Sequence, residues 1–290
     1  MKYKNVDELM ADETVPLGTR RALALREILH PHFVAIRYEF FKDGKSVVYL
    51  ASAFLLSVSD EWFLVTAGHC EEDINSLTLN GFRLATVNLI DGFGLNPKHN
   101  SMIPFDYEDA APTNMTELGF DSLVLRVSAM HRRLLEANGK RPLTEEVWQH
   151  QPANVDVYIL MGVPHDRTDD KGSFTRFDLV PYWVDPTERD DPFAEMLIPM
   201  FYGKIAWDDT IYGDLKGVSG GPIFGFSKVG DKTKYWLIAM QSGWNRADRR
   251  IAGPKTQALG YYIQVALEKL GAVEMRNSRQ CAAGQSEVAG

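Results

Sequence analysis

Ser219 stands in the run Gly217-Val218-Ser219-Gly220-Gly221-Pro222, where glycines flank a hydroxyl on both sides. A glycine two positions before the serine lets the chain turn so that the N–H groups of Gly217 and Ser219 face one small space that could hold an oxyanion. The two glycines that follow leave room for a substrate to approach. The plainer alternative is a glycine-rich turn between strands. A serine hydroxyl is a weak nucleophile, so chemistry here requires a base within hydrogen-bond reach and a third group that orients the base.

Of the seven histidines, His69 sits where such a base is needed. It follows the apolar run Trp62-Phe63-Leu64-Val65-Thr66, and Ala67-Gly68 then turn the chain and leave the imidazole at a strand end. Asp121 stands just before the alternating segment Ser122-Leu123-Val124-Leu125-Arg126-Val127, which places a carboxylate at the mouth of another strand. Alone, His69 reads as a half-buried structural histidine and Asp121 as a turn cap; the case rests on the set. Asp106 and Asp109 are rival carboxylates, in an irregular acidic stretch with no strand behind them. The sequence has no CxxC or HExxH grouping, so no metal and no other cofactor is expected.

The stretches Leu64-Val65-Thr66-Ala67-Gly68-His69-Cys70, Phe120-Asp121-Ser122-Leu123-Val124-Leu125-Arg126-Val127 and Gly217 to Pro222 resemble the three signature stretches of chymotrypsin-like (trypsin-type) serine peptidases, in that family's order of His, Asp and Ser. The resemblance runs from about Phe33 to Leu270. It implies an all-β fold of two six-stranded Greek-key barrels and a catalytic triad of His69, Asp121 and Ser219. It also implies an oxyanion hole made by the N–H groups of Gly217 and Ser219. By the same resemblance Gly213, with Asp214 beside it, marks the floor of a specificity pocket. Gln241, Ser242 and Gly243, followed by Trp244, correspond to the strand that pairs with a substrate's backbone, and Lys216 is a solvated side chain at the rim. Secreted zymogens of the family carry Asp just before the nucleophile, whereas this chain has Val218. The oxyanion hole must therefore be shaped by other contacts, as in intracellular or bacterial branches.

The chain has 290 residues, 45% hydrophobic and 24% charged, an ordinary composition for a soluble globular protein. A formal net charge of −8 argues against a general nucleic-acid binder. The opening segment has no apolar core of the kind a secretory signal needs, and no stretch approaches a membrane span. Only two cysteines occur, Cys70 and Cys281. Secreted family members commonly bridge the cysteine after the histidine to one in the preceding strand, which here reads Ala51-Ser52-Ala53-Phe54. With that partner absent, a reducing, cytoplasmic setting is expected, with Cys70 a small buried apolar residue.

The elements that must position these groups fall into five expected segments. Residues 1–31 form an N-terminal helical extension in which Thr19 caps Arg20 to Leu29 and His30-Pro31 end the helix. Residues 32–129 form the first barrel, with His69 and Asp121. Its strands run from Phe33 to Phe40, Ser46 to Ser57, Trp62 to Thr66, Ser76 to Asn80 and Arg83 to Ile90, and a long surface excursion spans Asp91 to Glu117. Residues 130–153 form a charged helical linker. Residues 154–273 form the second barrel, carrying Ser219, with a last strand near Thr256 to Leu259 and a helix from Tyr261 to Leu270. Residues 274–290 form a disordered tail.

The expected activity is that of a serine endopeptidase acting on a protein or peptide substrate through an acyl-enzyme, with no nucleic acid or membrane partner. Two alternatives stand beside it. One is a catalytically idle, protease-like module that binds a protein. The other is a peptidase held off until a regulatory protein orders the Gly217 turn.

Overall fold

The computed structural model of the chain describes residue 3 and residues 5–95, 102–170, 175–188, 198–206 and 215–269. Gly213, Asp214 and the tail 274–290 lie outside these residues, as do parts of the expected excursion from Asp91.

Two helices open the chain, α1 (Val6–Ala11) and α2 (Leu17–Leu29). The side chain of Asn5 caps α1 by accepting from the Glu8 N–H at 2.9 Å. The second helix starts two residues before the expected cap at Thr19. Its N-cap is Pro16, whose carbonyl accepts the Arg20 N–H at 3.0 Å, so Thr19 falls inside the first turn. A 3₁₀ turn at His30–His32 then delivers the chain to the first sheet.

That sheet contains β1 (Phe33–Lys42), β2 (Lys45–Val58), β3 (Glu61–Thr66), β4 (Arg83–Ile90), β5 (Met102–Pro104), β6 (Thr113–Asn114) and β7 (Leu123–Arg126), in the order β5-β4-β1-β2-β3-β7-β6. The two long hairpins close through two-residue turns with positive φ, Asp43-Gly44 (50° and 76°) and Ser59-Asp60 (52° and 65°), the geometry that matches strand twist. Between β3 and β4 lies α3 (His69–Leu79). The strand expected at Ser76 to Asn80 is therefore its last turn. The buried pair Cys70 and Ile74 has helical spacing, and Asn80 ends the helix by donating Nδ2–H to the Ser76 carbonyl at 2.9 Å. Helices α4 (Ala129–Ala137) and α5 (Glu145–Trp148) follow β7.

The second sheet contains β8 (Val157–Gly162), β11 (Val180–Pro186), β12 (Met200–Ile205), β13 (Pro222–Val229), β14 (Lys232–Met240), β15 (Gly243–Asn245) and β16 (Arg250–Pro254), with a separate hairpin of β9 (Thr168–Asp170) and β10 (Thr175–Phe177). Its order is β14-β13-β8-β11-β12-β16-β15, and a bridge between Ala239 of β14 and Lys255, just past β16, joins the first strand of that order to its penultimate one. Both sheets pair antiparallel throughout, and each has seven strands where six were expected; short edge strands such as β6 and β15 carry too weak an alternation to be read locally. A helix spanning 256–269, α6, closes the described chain. The last strand expected at Thr256 to Leu259 is thus the start of this helix, and β16 takes the strand role upstream. The Thr256 hydroxyl is buried and donates to the Leu237 carbonyl at 2.9 Å.

The core is continuous between the sheets. One cluster runs from Phe33, Tyr38 and Phe54 through Phe120 and Trp148 to Phe224, Leu237 and Leu259. A second, holding Leu160, Tyr182, Ile223 and Ile251, includes Val218 itself. Each such side chain contributes about 1.5–3 kcal/mol by leaving water. Polar contacts also tie the segment between the sheets to the first of them. Leu143 exchanges backbone hydrogen bonds with Leu55 and Ser57 at 2.8 and 2.9 Å, and the Trp148 indole N–H donates to the Ser57 carbonyl at 3.0 Å. Among the described residues, no helix is long and apolar enough to cross a membrane.

Candidate active site

His69 is the first residue of α3, delivered by β3 through the tight passage Ala67-Gly68. Gly68 has no room for a side chain. A Cβ there would lie 2.7 Å from Thr116 Oγ1, 2.9 Å from the Ser122 nitrogen and 3.0 Å from Asp121 Oδ1. That crowding places the start of α3 directly against the loop before β7. Asp121 grips His69 twice. Its Oδ1 accepts the His69 backbone N–H and its Oδ2 meets ring Nδ1, both at 2.8 Å. A carboxylate at Nδ1 holds the ring proton there and leaves Nε2 as the basic nitrogen.

The pair is neither dry nor fully solvated, with side-chain exposures of 33% for His69 and 26% for Asp121. Burial alone would lower the pKa of His69. The hydrogen bond and charge of Asp121, joined by the charges of Asp73 and Glu72, outweigh it and raise the imidazole above its ordinary value. The rival carboxylates stand apart from this. Asp106 caps its own loop, with Oδ1 accepting the Asp109 N–H at 3.1 Å.

Ser219 lies on a turn between the stretch preceding it and β13, and every glycine around it is required by space. Gly217 has φ of +89° and Gly220 +88°, in the left-handed region. A Cβ on Gly220 would lie 2.1 Å from the Ser52 carbonyl, and one on Gly221 2.2 Å from that of Met161. The backbone bonds of the turn follow a pattern. The N–H groups of Val218, Gly220 and Gly221 donate to Leu215, Gln241 and Val218 carbonyls at 2.9, 2.8 and 2.8 Å. Among the described residues, those of Gly217 and Ser219 donate to no protein acceptor. Between Gly217 and Gly221, these are the two N–H groups without a protein acceptor.

His69, Gly217 and Ser219 line one open cleft of about 530 Å³, together with Asp73, His165, Lys216 and the β2 residues Val47–Leu50. The first sheet supplies the imidazole and the second the hydroxyl. Lys216 is exposed at the rim, as expected. His165 and the β2 wall were not singled out beforehand. Nothing local marks them, since they reach the cleft only through the packing of one sheet on the other.

The expected substrate-binding strand divides. Gln241 is 1% exposed, and its backbone is committed to the turn through bonds to Gly220 and Gly221, both at 2.8 Å. Ser242 donates its N–H to the Ala252 carbonyl at 2.9 Å, and Gly243 begins β15, the outermost strand of its sheet. Gly213 and Asp214, expected at the floor of a specificity pocket, lie outside the described residues. Cys70 is buried beneath the site. Burial first, with the charges of Asp121 and Asp73, pushes its thiol up to about 12, against opposing hydrogen bonds from Tyr49 and Thr66, so it is an inert core residue.

No protein-family model matches the chain, and no curated protein matches it. Solved structures similar to it include the active form of the Rv3671c protease from M. tuberculosis, at 15% identity over 84% of this chain and 82% of that one, with a TM-score of 0.42. A thermostable serine protease, AL20, from an extremophilic microorganism is 15% identical over 82% of this chain and 97% of its own, with a TM-score of 0.44. A Glu endopeptidase is 14% identical over 79% and 90%, with a TM-score of 0.45. Likeness at this level assigns neither an activity nor residue roles to the chain.

Proposed function

We propose that the protein is a serine endopeptidase with His69, Asp121 and Ser219 as its triad. The observation that supports this most is the convergence, in one cleft, of the Ser219 turn, an imidazole fixed through Nδ1 by a carboxylate, and two unbonded N–H groups. In this reading Ser219 Oγ attacks a peptide carbonyl while its proton passes to His69 Nε2. The oxyanion is held by the N–H groups of Gly217 and Ser219, where losing one donor costs about 3–4 kcal/mol of barrier. His69 returns the proton to the leaving amine as the C–N bond breaks, and water then hydrolyses the acyl-Ser219.

The substrate is an extended chain. The outer edge of β15 faces no further strand among the described residues, and an added strand there would use Gly243 and its neighbours rather than Gln241. The turn is bonded on both sides, which favours a site formed without a regulatory partner. Purified protein alone should therefore be labelled by a fluorophosphonate at Ser219 and should cleave a subset of a peptide library, while Ser219→Ala does neither. Absence of labelling and cleavage in the wild type would leave the idle, protein-binding module. Labelling that persists in Ser219→Ala would move the nucleophile elsewhere.

A further inference from the structure

The Gly217 turn needs a brace. Glycine at positive φ gives the chain little resistance to rotation, and an inverted peptide would turn the Gly217 N–H out of the cleft. The residue before Ser219 supplies no charge for an ionic brace, because Val218 is fully buried in the second core. Instead a single hydroxyl reaches across from the other sheet. Ser52, on β2, is fully buried; its Oγ–H donates to the Gly217 carbonyl at 2.7 Å, and its Oγ accepts the Val163 N–H at 2.9 Å. Val163 directly follows β8, so one side chain of the first sheet engages two backbone groups belonging to the second.

Peptide planarity transmits the effect. With the Gly217 carbonyl held by Ser52, the Val218 N–H points the opposite way, where the Leu215 carbonyl accepts it at 2.9 Å. On the other side of Gly217, the Lys216 carbonyl accepts the His165 N–H at 2.8 Å, which turns the Gly217 N–H away from His165. Both peptide planes that meet at this flexible residue are pinned by these bonds. Ser52 is itself fixed, because Thr66 Oγ1, at the end of β3 three residues before His69, donates to its carbonyl at 2.8 Å. The strand that delivers the base and the turn that carries the nucleophile thus share one short chain of hydrogen bonds.

Resting on the peptidase reading above, we propose that Ser52 is a positioning residue whose hydroxyl, by holding the Gly217 carbonyl, fixes one of the two peptide planes that meet at Gly217, so that the other plane, pinned through the Lys216 carbonyl, keeps presenting the Gly217 N–H as an oxyanion donor. The test uses the full chain with Ser52→Ala and Ser52→Cys, with rates taken per folded molecule as judged by circular dichroism. The readouts are the second-order rate of fluorophosphonate inactivation, and kcat and KM on a peptide that the wild type cleaves. Ser52→Ala should slow inactivation and lower kcat by 10- to 100-fold, with KM within threefold of wild type. Ser52→Cys, whose longer and weaker S–H donor cannot reproduce the 2.7 Å bond, should lose at least tenfold. A purely structural serine would lower the melting temperature and leave these rates per folded molecule unchanged. Rates within threefold of wild type in either folded variant overturn the proposal, and Ser52→Cys decides it if Ser52→Ala does not fold. A wild type that neither labels nor cleaves would refute the peptidase reading itself, a separate outcome.

Discussion

Replacing Asp121 by Asn turns one carboxylate oxygen into an NH₂ donor with almost no change of volume, which makes it the sharpest probe of the site. The retained Oδ1 can still accept the His69 N–H now bonded at 2.8 Å, so the start of α3 should stay in place. At ring Nδ1 the carboxylate oxygen, also at 2.8 Å, becomes an NH₂ donor. Two donors cannot face each other, so the imidazole takes the other tautomer, with its proton on Nε2 and no lone pair left for the proposed general base. In a Ser-His-Asp triad that change costs about 10⁴ in kcat, or about 5.5 kcal/mol of barrier. The pH profile adds an independent sign. The proposed mechanism needs neutral His69, and its pKa is raised because Asp121, with help from Asp73 and Glu72, overcomes burial. In the wild type kcat/KM should therefore rise with pH through a midpoint above the ordinary histidine value. In Asp121→Asn the residual activity should rise through a lower one, since the largest raising influence is gone. Peptide hydrolysis between pH 5 and 9, with circular dichroism to confirm folding, measures both. A folded Asp121→Asn that keeps more than a tenth of wild-type kcat would refute the role given to Asp121.

Gly217→Ala should lower kcat by about 10²–10³ with a smaller effect on KM, because the left-handed backbone resists a side chain and the new Cβ would lie 2.7 Å from the Val163 carbonyl, displacing an oxyanion donor; steady-state kinetics checks this. His32 should make the fold acid-sensitive. Burial first, then the charges of Arg141 and Lys140, lowers its pKa to about 4 against the hydrogen bond to the Arg141 backbone. The unfolded chain then binds the extra proton between pH 6.5 and 4, so stability present above 6.5 is lost as pH falls, by about 3 kcal/mol for this group. Urea unfolding across that range should show a shallower pH dependence in His32→Asn. Gly260→Ala should lower the melting temperature by roughly 3 °C or more, although alanine is the better helix former, because its Cβ would sit 2.4 Å from the buried Trp148 ring. A rise in melting temperature would mean that the indole yields.

The elements with long, regular periods were legible. The strands β1 to β4 and the helix before β1 follow from apolar runs, alternation and helical spacing, all properties of neighbouring residues. Two segments were misread where local preference and tertiary context disagree. Ser76 to Leu79 is rich in residues that suit a strand, yet it completes α3 because Cys70 and Ile74 must share one buried face. Thr256 has the β-branched shape of a strand residue and instead opens α6, with its hydroxyl spent on the Leu237 carbonyl.

What the sequence offered by itself was the identity and order of the proposed triad, His69, Asp121 and Ser219, since that proposal rests on residue type and on the glycines around Ser219. Only the folded chain decided what surrounds them. The Ser52 hydroxyl under Gly217, Val218 as a core residue and Asp106 as a loop cap are contacts between positions far apart in sequence or hidden from local pattern. Such contacts depend on how two sheets pack, and no window of neighbouring residues carries that information.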